Sequence, residues 1–188
     1  LTDPVRAEAA GTVQALARLG LRSEIVSGDA ASAVAAMAGR SGIEHHSSRL
    51  PPQGKVDRLQ QLQREGAVVV AVGDGINDAP LLRGADVAVA MGHGSALAQT
   101  SADLILVRDS IDQLPGVVEL ARRAQRIVRQ NLTWSIVYNL AALPLAALGL
   151  IPAWLAAIGM SLSSVVVVLN AARVARGGPP TARPRWVD

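Results

Sequence analysis

Residues 68–80 read Val-Val-Val-Ala-Val-Gly-Asp-Gly-Ile-Asn-Asp-Ala-Pro. The first five form a nearly pure β-branched run, the pattern of a central parallel strand covered on both faces. The run ends at Gly73-Asp74-Gly75, and Asp78 follows Asp74 by four positions. Glycines here let the backbone turn tightly and approach a ligand. Two carboxylates beside them suit Mg²⁺, which takes oxygen ligands and commonly completes its shell with water and phosphate. The plainer alternative is an Asx-rich turn before a helix at Pro80. A bare Gly-Asp-Gly would favour that turn; the whole octapeptide behind a buried strand favours the ion site.

On either side of this motif strands and helices alternate. Residues 4–19 predict a helix stopped by Gly20, and residues 21–26 a strand ending at Ser27-Gly28-Asp29. An Ala-rich helix over 30–40, a weak strand near Ile43 and a helix over 51–65 follow, the last stopped by Gly66. Beyond the central run come a short helix at 80–83, a strand at 87–90, a short helix at 95–100 and a strand at 104–107. Such alternation implies an α/β layer with a mostly parallel sheet, whose reactive loops sit at the carboxyl ends of strands. Asp29 and Asp74 both fall there. Asp109-Ser110 opens a long helix, with Asp112 and Gln113 at capping-box spacing, running through Arg129. Met37 and Met91 are expected to fill the core, His45 and His46 to be a solvated pair in a loop, and His93 to be a turn residue.

Charge divides the 188 residues sharply. Although 18% are charged, all but five of the charged residues lie before residue 130, and residues 130–172 carry none. That run excludes a plain soluble domain and a disordered tail. About 20 residues cross the hydrocarbon, so 43 uncharged residues fit two crossings, broken at Gly149-Leu150-Ile151-Pro152. Arg122, Arg123, Arg126 and Arg129 precede the run, and Arg173, Arg176, Arg183 and Arg185 follow it. Arginines at both ends read as cytoplasmic membrane flanks. The net charge of +3 therefore points to lipid and not to nucleic acid, since aromatics at 2% leave no base-stacking platform. The absence of Cys excludes disulfide scaffolds, zinc-thiolate sites and cysteine nucleophiles. The expected organisation is an α/β domain over 1–110, a linking helix over 111–129, two transmembrane helices over 130–173 and a loose tail over 174–188. The chain begins with Leu and reads as a fragment.

Further residues join the central motif. Ser27 and the amides at Gly28 and Asp29 have the chemistry to hold a phosphoryl oxygen; taken alone they are a plain turn. Lys55 sits near a helix start after Pro51-Pro52, and its ammonium can neutralise phosphate. It is also the single Lys in a chain with 17 Arg, where a compact ammonium is a distinct choice.

Ser27-Gly28-Asp29, Pro52-Gln53-Gly54-Lys55, the segment from Gly73 to Pro80 and Ala85-Asp86-Val87-Ala88-Val89-Ala90-Met91-Gly92 resemble the second half of the phosphorylation domain of a P-type ATPase. The apolar run resembles the last two membrane helices of the heavy-metal-transporting branch. The resemblance implies a haloacid-dehalogenase-like fold and an ATPase that passes the γ-phosphoryl of ATP to the aspartate of an Asp-Lys-Thr-Gly-Thr motif. It implies that Asp74 coordinates Mg²⁺ with Asp78 supporting that site. It implies too that Asn77, Lys55, Ser27 and Gly28 contact the phosphoryl group, and that Asp29 shapes its loop. Lys55, Asp74, Asn77 and Asp78 are thus the implied catalytic set. Asp-Lys-Thr-Gly-Thr is absent from this sequence, as are the actuator domain and most of the nucleotide pocket. The chain is therefore expected to be inactive alone and to need the upstream part of the same pump. Asp109 is no substitute nucleophile, since Ile111 stands where a phosphatase of that superfamily carries a second Asp or a Thr.

The hairpin speaks to the cargo. Tyr138-Asn139 lies in the first crossing, Met160 and Ser164 in the second. A thioether suits Cu⁺ or Ag⁺, and polar groups inside a membrane are commonly functional. Singly, Met160 is packing filler, Ser164 a small packing residue and Tyr138 an interfacial anchor. Together they resemble the copper/silver subgroup, with a copper chaperone as an implied partner and a bacterial plasma membrane as the location. Neither crossing holds Asp or Lys, unlike the zinc branch. The alternative is a truncated, non-catalytic membrane protein with a residual Mg²⁺-binding domain.

Overall fold

The computed structural model describes residues 8–107 and 110–174. The chain divides into two compact units, Leu1–Pro115 and Gly116–Asp188. In the first, helices and strands alternate: α1 Ala9–Arg18, β1 Glu24–Val26, α2 Ala31–Ser41, β2 His45–Ser47, α3 Pro52–Arg64, β3 Val70–Gly73, α4 Ala79–Gly84, β4 Val87–Met91, α5 Ala96–Thr100 and β5 Leu104–Leu106. The second unit holds most of α6, Leu114–Ala147, and α7, Ala153–Ala172.

All strand pairs are parallel, but they form two ladders: β1 with β2, and β3-β4-β5. The expected α/β layer with parallel pairing is present, as two ladders among the described residues. The expectation for β3 is corrected: it is not covered on both faces. It pairs with β4 alone, leaving an open edge; Ala71 is buried while Val70 and Val72 are 45% and 40% exposed. Consecutive β-branched residues predict two covered faces, and the described part of this chain covers one.

The core explains the rest of the register. Ala71, Leu82, Ala88 and Ala98 pack between β3, β4 and the short helices α4 and α5. Val89, Met91 and Leu106 form a second cluster on the other face of β4, with Ile111 and Leu114 against it. β4 is thus the buried central strand. Met91 fills the core as expected, whereas Met37 is 36% exposed. α2 buries Val34, Ala38 and Ser41 at helical spacing, and Met37 falls beside that stripe. His45 and His46 are in β2 and not in a loop. A helix ending at Gly42, in the left-handed conformation, delivers the chain into that strand.

Ser110 caps a short 3₁₀ turn, Ile111–Gln113, by accepting from the Asp112 N–H at 3.4 Å. Asp109, the other expected cap, lies outside the described residues, as do Arg176, Arg183 and Arg185. α6 begins after that turn and runs 34 residues to Ala147; Gly149, with a φ of 71°, turns the chain before Pro152 opens α7.

Candidate functional site

Three loops of the first unit follow β1, β3 and β4. After β1, the Ser27 N–H donates to the Ser47 carbonyl at 2.9 Å, and the Ser27 carbonyl accepts from the Leu50 N–H at 3.0 Å. Within the loop the Ser27 hydroxyl donates to Asp29 Oδ2 at 2.8 Å and accepts from the Asp29 N–H at 3.2 Å. Asp29 therefore ties the loop to its own serine. A Cβ on Gly28 would stand 3.2 Å from the Leu50 carbonyl, so a larger residue would press on the segment leading into α3.

That segment carries Lys55. Pro51 accepts the Lys55 N–H at 3.2 Å, opening α3, and Lys55 Nζ donates to Asp78 Oδ1 at 2.7 Å. One turn further on, Arg58 holds Glu24 with two parallel hydrogen bonds of 2.8 and 2.9 Å. The bond to Glu24 raises the Arg58 pKa further above its already high value. This fork fastens α3 to β1, and so fixes the element presenting Lys55 to the strand presenting Ser27.

After β3 the chain makes a 3₁₀ turn, Ile76–Asp78, before α4. Asp78 Oδ2 accepts from the Gly75 N–H at 3.4 Å, so both of its oxygens are engaged. Asp74 differs. Its side chain is exposed and forms no hydrogen bond or ion pair among the described residues, and the same holds for the Asn77 side chain. The Asp74 backbone is held: its carbonyl accepts from the Ser95 N–H at 2.8 Å. A Cβ on Gly94 would lie 2.9 Å from that carbonyl. Gln99 Nε2 donates to the carbonyls of Gly92 and Gly94 at 2.9 and 3.2 Å, which steadies the loop after β4.

Ser27, Lys55, Asp78 and Gly75 are thus linked by one chain of contacts, and Asp74 stands free at the end of β3. Gly94, Ser95, Gln99 and Arg58 support the site and were not singled out from sequence. Gly94 and Ser95 lie two and three residues past the Ala85–Gly92 motif, so the loop itself carried a signal. No group of three or more His, Cys, Asp or Glu side chains gathers among the described residues. The donor set consequently fits a hydrated Mg²⁺ taking one carboxylate, Asp74, from this chain, with Asp78 held behind it by Lys55.

In the second unit α6 and α7 pack antiparallel. Asn131 Nδ2 donates to the Val167 carbonyl at 3.4 Å, Asn170 Nδ2 to Asn131 Oδ1 at 2.9 Å, and Trp134 Nε1 to Ser163 Oγ at 3.0 Å. Tyr138 lies against Gly159: a Cβ there would be 2.6 Å from the phenolic oxygen. Among the described residues one helix, over Trp154–Ala172, is long and apolar enough to cross a membrane. Of the four cargo candidates, the hairpin brings Tyr138 into its own interface. Asn139, Met160 and Ser164 are exposed, and the Ser164 hydroxyl donates to the Met160 carbonyl at 3.1 Å.

A family model for haloacid dehalogenase-like hydrolases matches residues 1–86, and a second model of that description matches residues 55–119. A cation-transporting P-type ATPase B of Mycobacterium bovis is 42% identical over 178 residues, covering 95% of this chain and 24% of that protein. A copper-exporting P-type ATPase of Mycobacterium tuberculosis is 43% identical over 178 residues, with 95% and 23% covered. The crystal structure of a zinc-transporting PIB-type ATPase superposes with a TM-score of 0.87 at 35% identity, covering 92% of this chain and 28% of that one. The chain spans about a quarter of the length of these relatives.

Proposed function

This chain is a relative of the P-type cation ATPases along 95% of its length, and from that premise we propose that it is part of an ATP-driven pump for Cu⁺ or Ag⁺. The pump works through an aspartyl phosphate. This chain supplies the Mg²⁺- and phosphoryl-binding loops of the phosphorylation domain and two membrane helices of the metal path. The observation that carries the reading is the contrast at the end of β3. Asp74 is exposed and has no side-chain partner among the described residues, while Asp78 nearby is tied to Lys55. A bound Mg²⁺ would neutralise charge on the transferring phosphoryl group. Asp74 offers it a ligand; Lys55, Asn77, Ser27 and the Gly28 amide line the phosphoryl side. The open edges of β1 and β3 support a domain completed by further chain.

In the longer pump, Asp74→Asn removes one anionic ligand and is expected to abolish Mg²⁺-dependent, acid-stable phosphorylation by γ-labelled ATP with the fold retained. The 188-residue chain alone is expected to take up no label. Normal labelling of Asp74→Asn, or label on the isolated chain, would overturn the reading.

The cargo assignment rests on one flank of the hairpin. Successive residues turn about 100° around a helix. Asn139 is one step past Tyr138 on α6; Met160 is one step past Gly159, and Ser164 one step past Ser163, on α7. Because the helices are antiparallel, these steps open to the same side. A thioether, an amide and a hydroxyl with no carboxylate suit a soft monovalent ion better than Zn²⁺. Met160→Leu conserves volume and removes sulfur. In the longer pump it is expected to weaken Cu⁺-stimulated ATP hydrolysis while leaving phosphorylation by inorganic phosphate intact. Stronger stimulation of the wild type by Zn²⁺ than by Cu⁺ would refute the cargo and leave the phosphoryl site standing. By the positive-inside rule the flanking arginines favour both ends of the hairpin on the cytoplasmic side of a bacterial plasma membrane, where a copper chaperone would deliver the ion.

A further inference from the structure

One face of α6 carries a sequence of chemistries that the pump reading does not use. Arg126, Arg129, Gln130, Thr133, Trp134 and Val137 line a shallow groove of about 430 Å³. Their spacing of three and four residues puts them on one stripe of the helix. At the upper end, Arg126 and Arg129 form no ion pair or hydrogen bond among the described residues. No Asp or Glu occurs between Glu119 and Asp188 to neutralise them. At the lower end, Val137 is exposed, and Trp134 is partly exposed with its indole N–H fixed on Ser163 at 3.0 Å.

The groove also sits at a defined level. Arg123 Nη2 donates to the Arg173 carbonyl at 2.8 Å, and Asn170 bonds Asn131. The first uncharged residues of α6 therefore lie beside the last uncharged residues of α7, so the edge of the apolar band is shared by both helices. Arg126 and Arg129 are just outside that edge. Trp134 and Val137 are five and eight residues below Arg129, or about 7–12 Å along the axis.

We propose that this groove binds an anionic phospholipid. The two guanidinium forks take the phosphate oxygens, Thr133 and the indole lie at the glycerol level where Trp is favoured, and Val137 meets the first acyl methylenes. Charge complementarity selects the occupant: two cations without a partner among the described residues, above an apolar strip, match a headgroup with net negative charge and disfavour both a zwitterionic lipid and an apolar protein helix. The inference rests on the membrane-hairpin part of the reading above.

The test uses the whole chain with Trp154→Phe and Trp186→Phe, leaving Trp134 as the reporter, after carbonate-resistant retention in membranes has been established. Emission is measured in equimolar phosphatidylglycerol and phosphatidylcholine vesicles with bromine on the acyl chains of one lipid or the other. Brominated phosphatidylglycerol is expected to give the stronger quenching, corresponding to a preference of about fivefold or more. Arg126→Gln with Arg129→Gln is expected to bring the two lipids to parity. Equal quenching in the parent chain, a preference that survives in the double variant, or a Trp134 shielded from both lipids would overturn the lipid site. Loss of the chain on carbonate extraction would instead overturn the membrane hairpin itself.

Discussion

Lys55 Nζ lies 2.7 Å from Asp78 Oδ1, and the two side chains are 14% and 17% exposed. Two residues expected on opposite sides of the chemistry, one toward phosphate and one toward metal, are therefore a single ion pair. A phosphoryl group entering the site would share the ammonium with Asp78. The pair is shielded enough to matter for folding, since removing one member leaves the other charge poorly solvated. Lys55→Met and Asp78→Asn, alone and together, are expected to show a coupling energy of about 1–2 kcal/mol. Thermal unfolding of the full chain in detergent measures it; additive effects would show that the pair contributes nothing.

The glycines flanking Asp74 are unequal. A Cβ on Gly73 would stand 2.8 Å from the Asp78 Cβ, whereas one on Gly75 would meet nothing nearer than 3.5 Å. Gly73→Ala must push Asp78 away from Lys55 and is expected to cost about 1–3 kcal/mol. Gly75 has a φ of −96°, open to any residue, so Gly75→Ala is expected to stay within about 0.5 kcal/mol. Equal melting temperatures for the two variants would contradict this geometry.

Asp86 gives the first unit an acid limb. Its carboxylate accepts from the Val69 N–H at 2.8 Å and from Gln63 Nε2 at 3.2 Å, and these bonds, the backbone one foremost, lower its pKa. A carboxylate with a lowered native pKa stabilises the fold above its unfolded pKa, and that contribution disappears as pH falls through the native value. Asp86→Asn should therefore be less stable than wild type at neutral pH, with the difference shrinking below about pH 4. Unfolding curves across that range provide the check; a constant offset would refute the linkage.

The hairpin interface allows a suppressor test. A Cβ on Gly159 would be 2.6 Å from the Tyr138 hydroxyl oxygen but 3.6 Å from the ring carbon that bears it. Gly159→Ala is expected to destabilise the α6–α7 pair by about 1 kcal/mol. Adding Tyr138→Phe removes the clashing atom and should restore most of the loss. Thermal unfolding in detergent, with no rescue by Phe, would place the ring elsewhere.

Much of this protein was legible in its residue order. The alternation of apolar runs with Gly-bounded helices located the strands and helices to within a few residues, because those periods are local properties of the backbone. The motif from Gly73 to Pro80 announced a turn rich in carboxylates at a strand end for the same reason. The uncharged run from Gln130 to Ala172 and its break at Gly149–Pro152 needed no partner to be read. What sequence left undecided depended on residues far apart in the chain. A run of valines cannot say whether both strand edges find partners, and among the described residues β3 pairs on one side alone. Two aspartates four positions apart look equivalent until Lys55, 23 residues upstream, engages one and leaves the other free. Tyr138 and Asn139 are adjacent in sequence, yet the antiparallel packing against Gly159 takes the tyrosine into the interface and leaves the asparagine on the flank with Met160. Local pattern sets where an element begins and which residue types it carries; the neighbour supplied by tertiary contact sets which of those groups remain free to act.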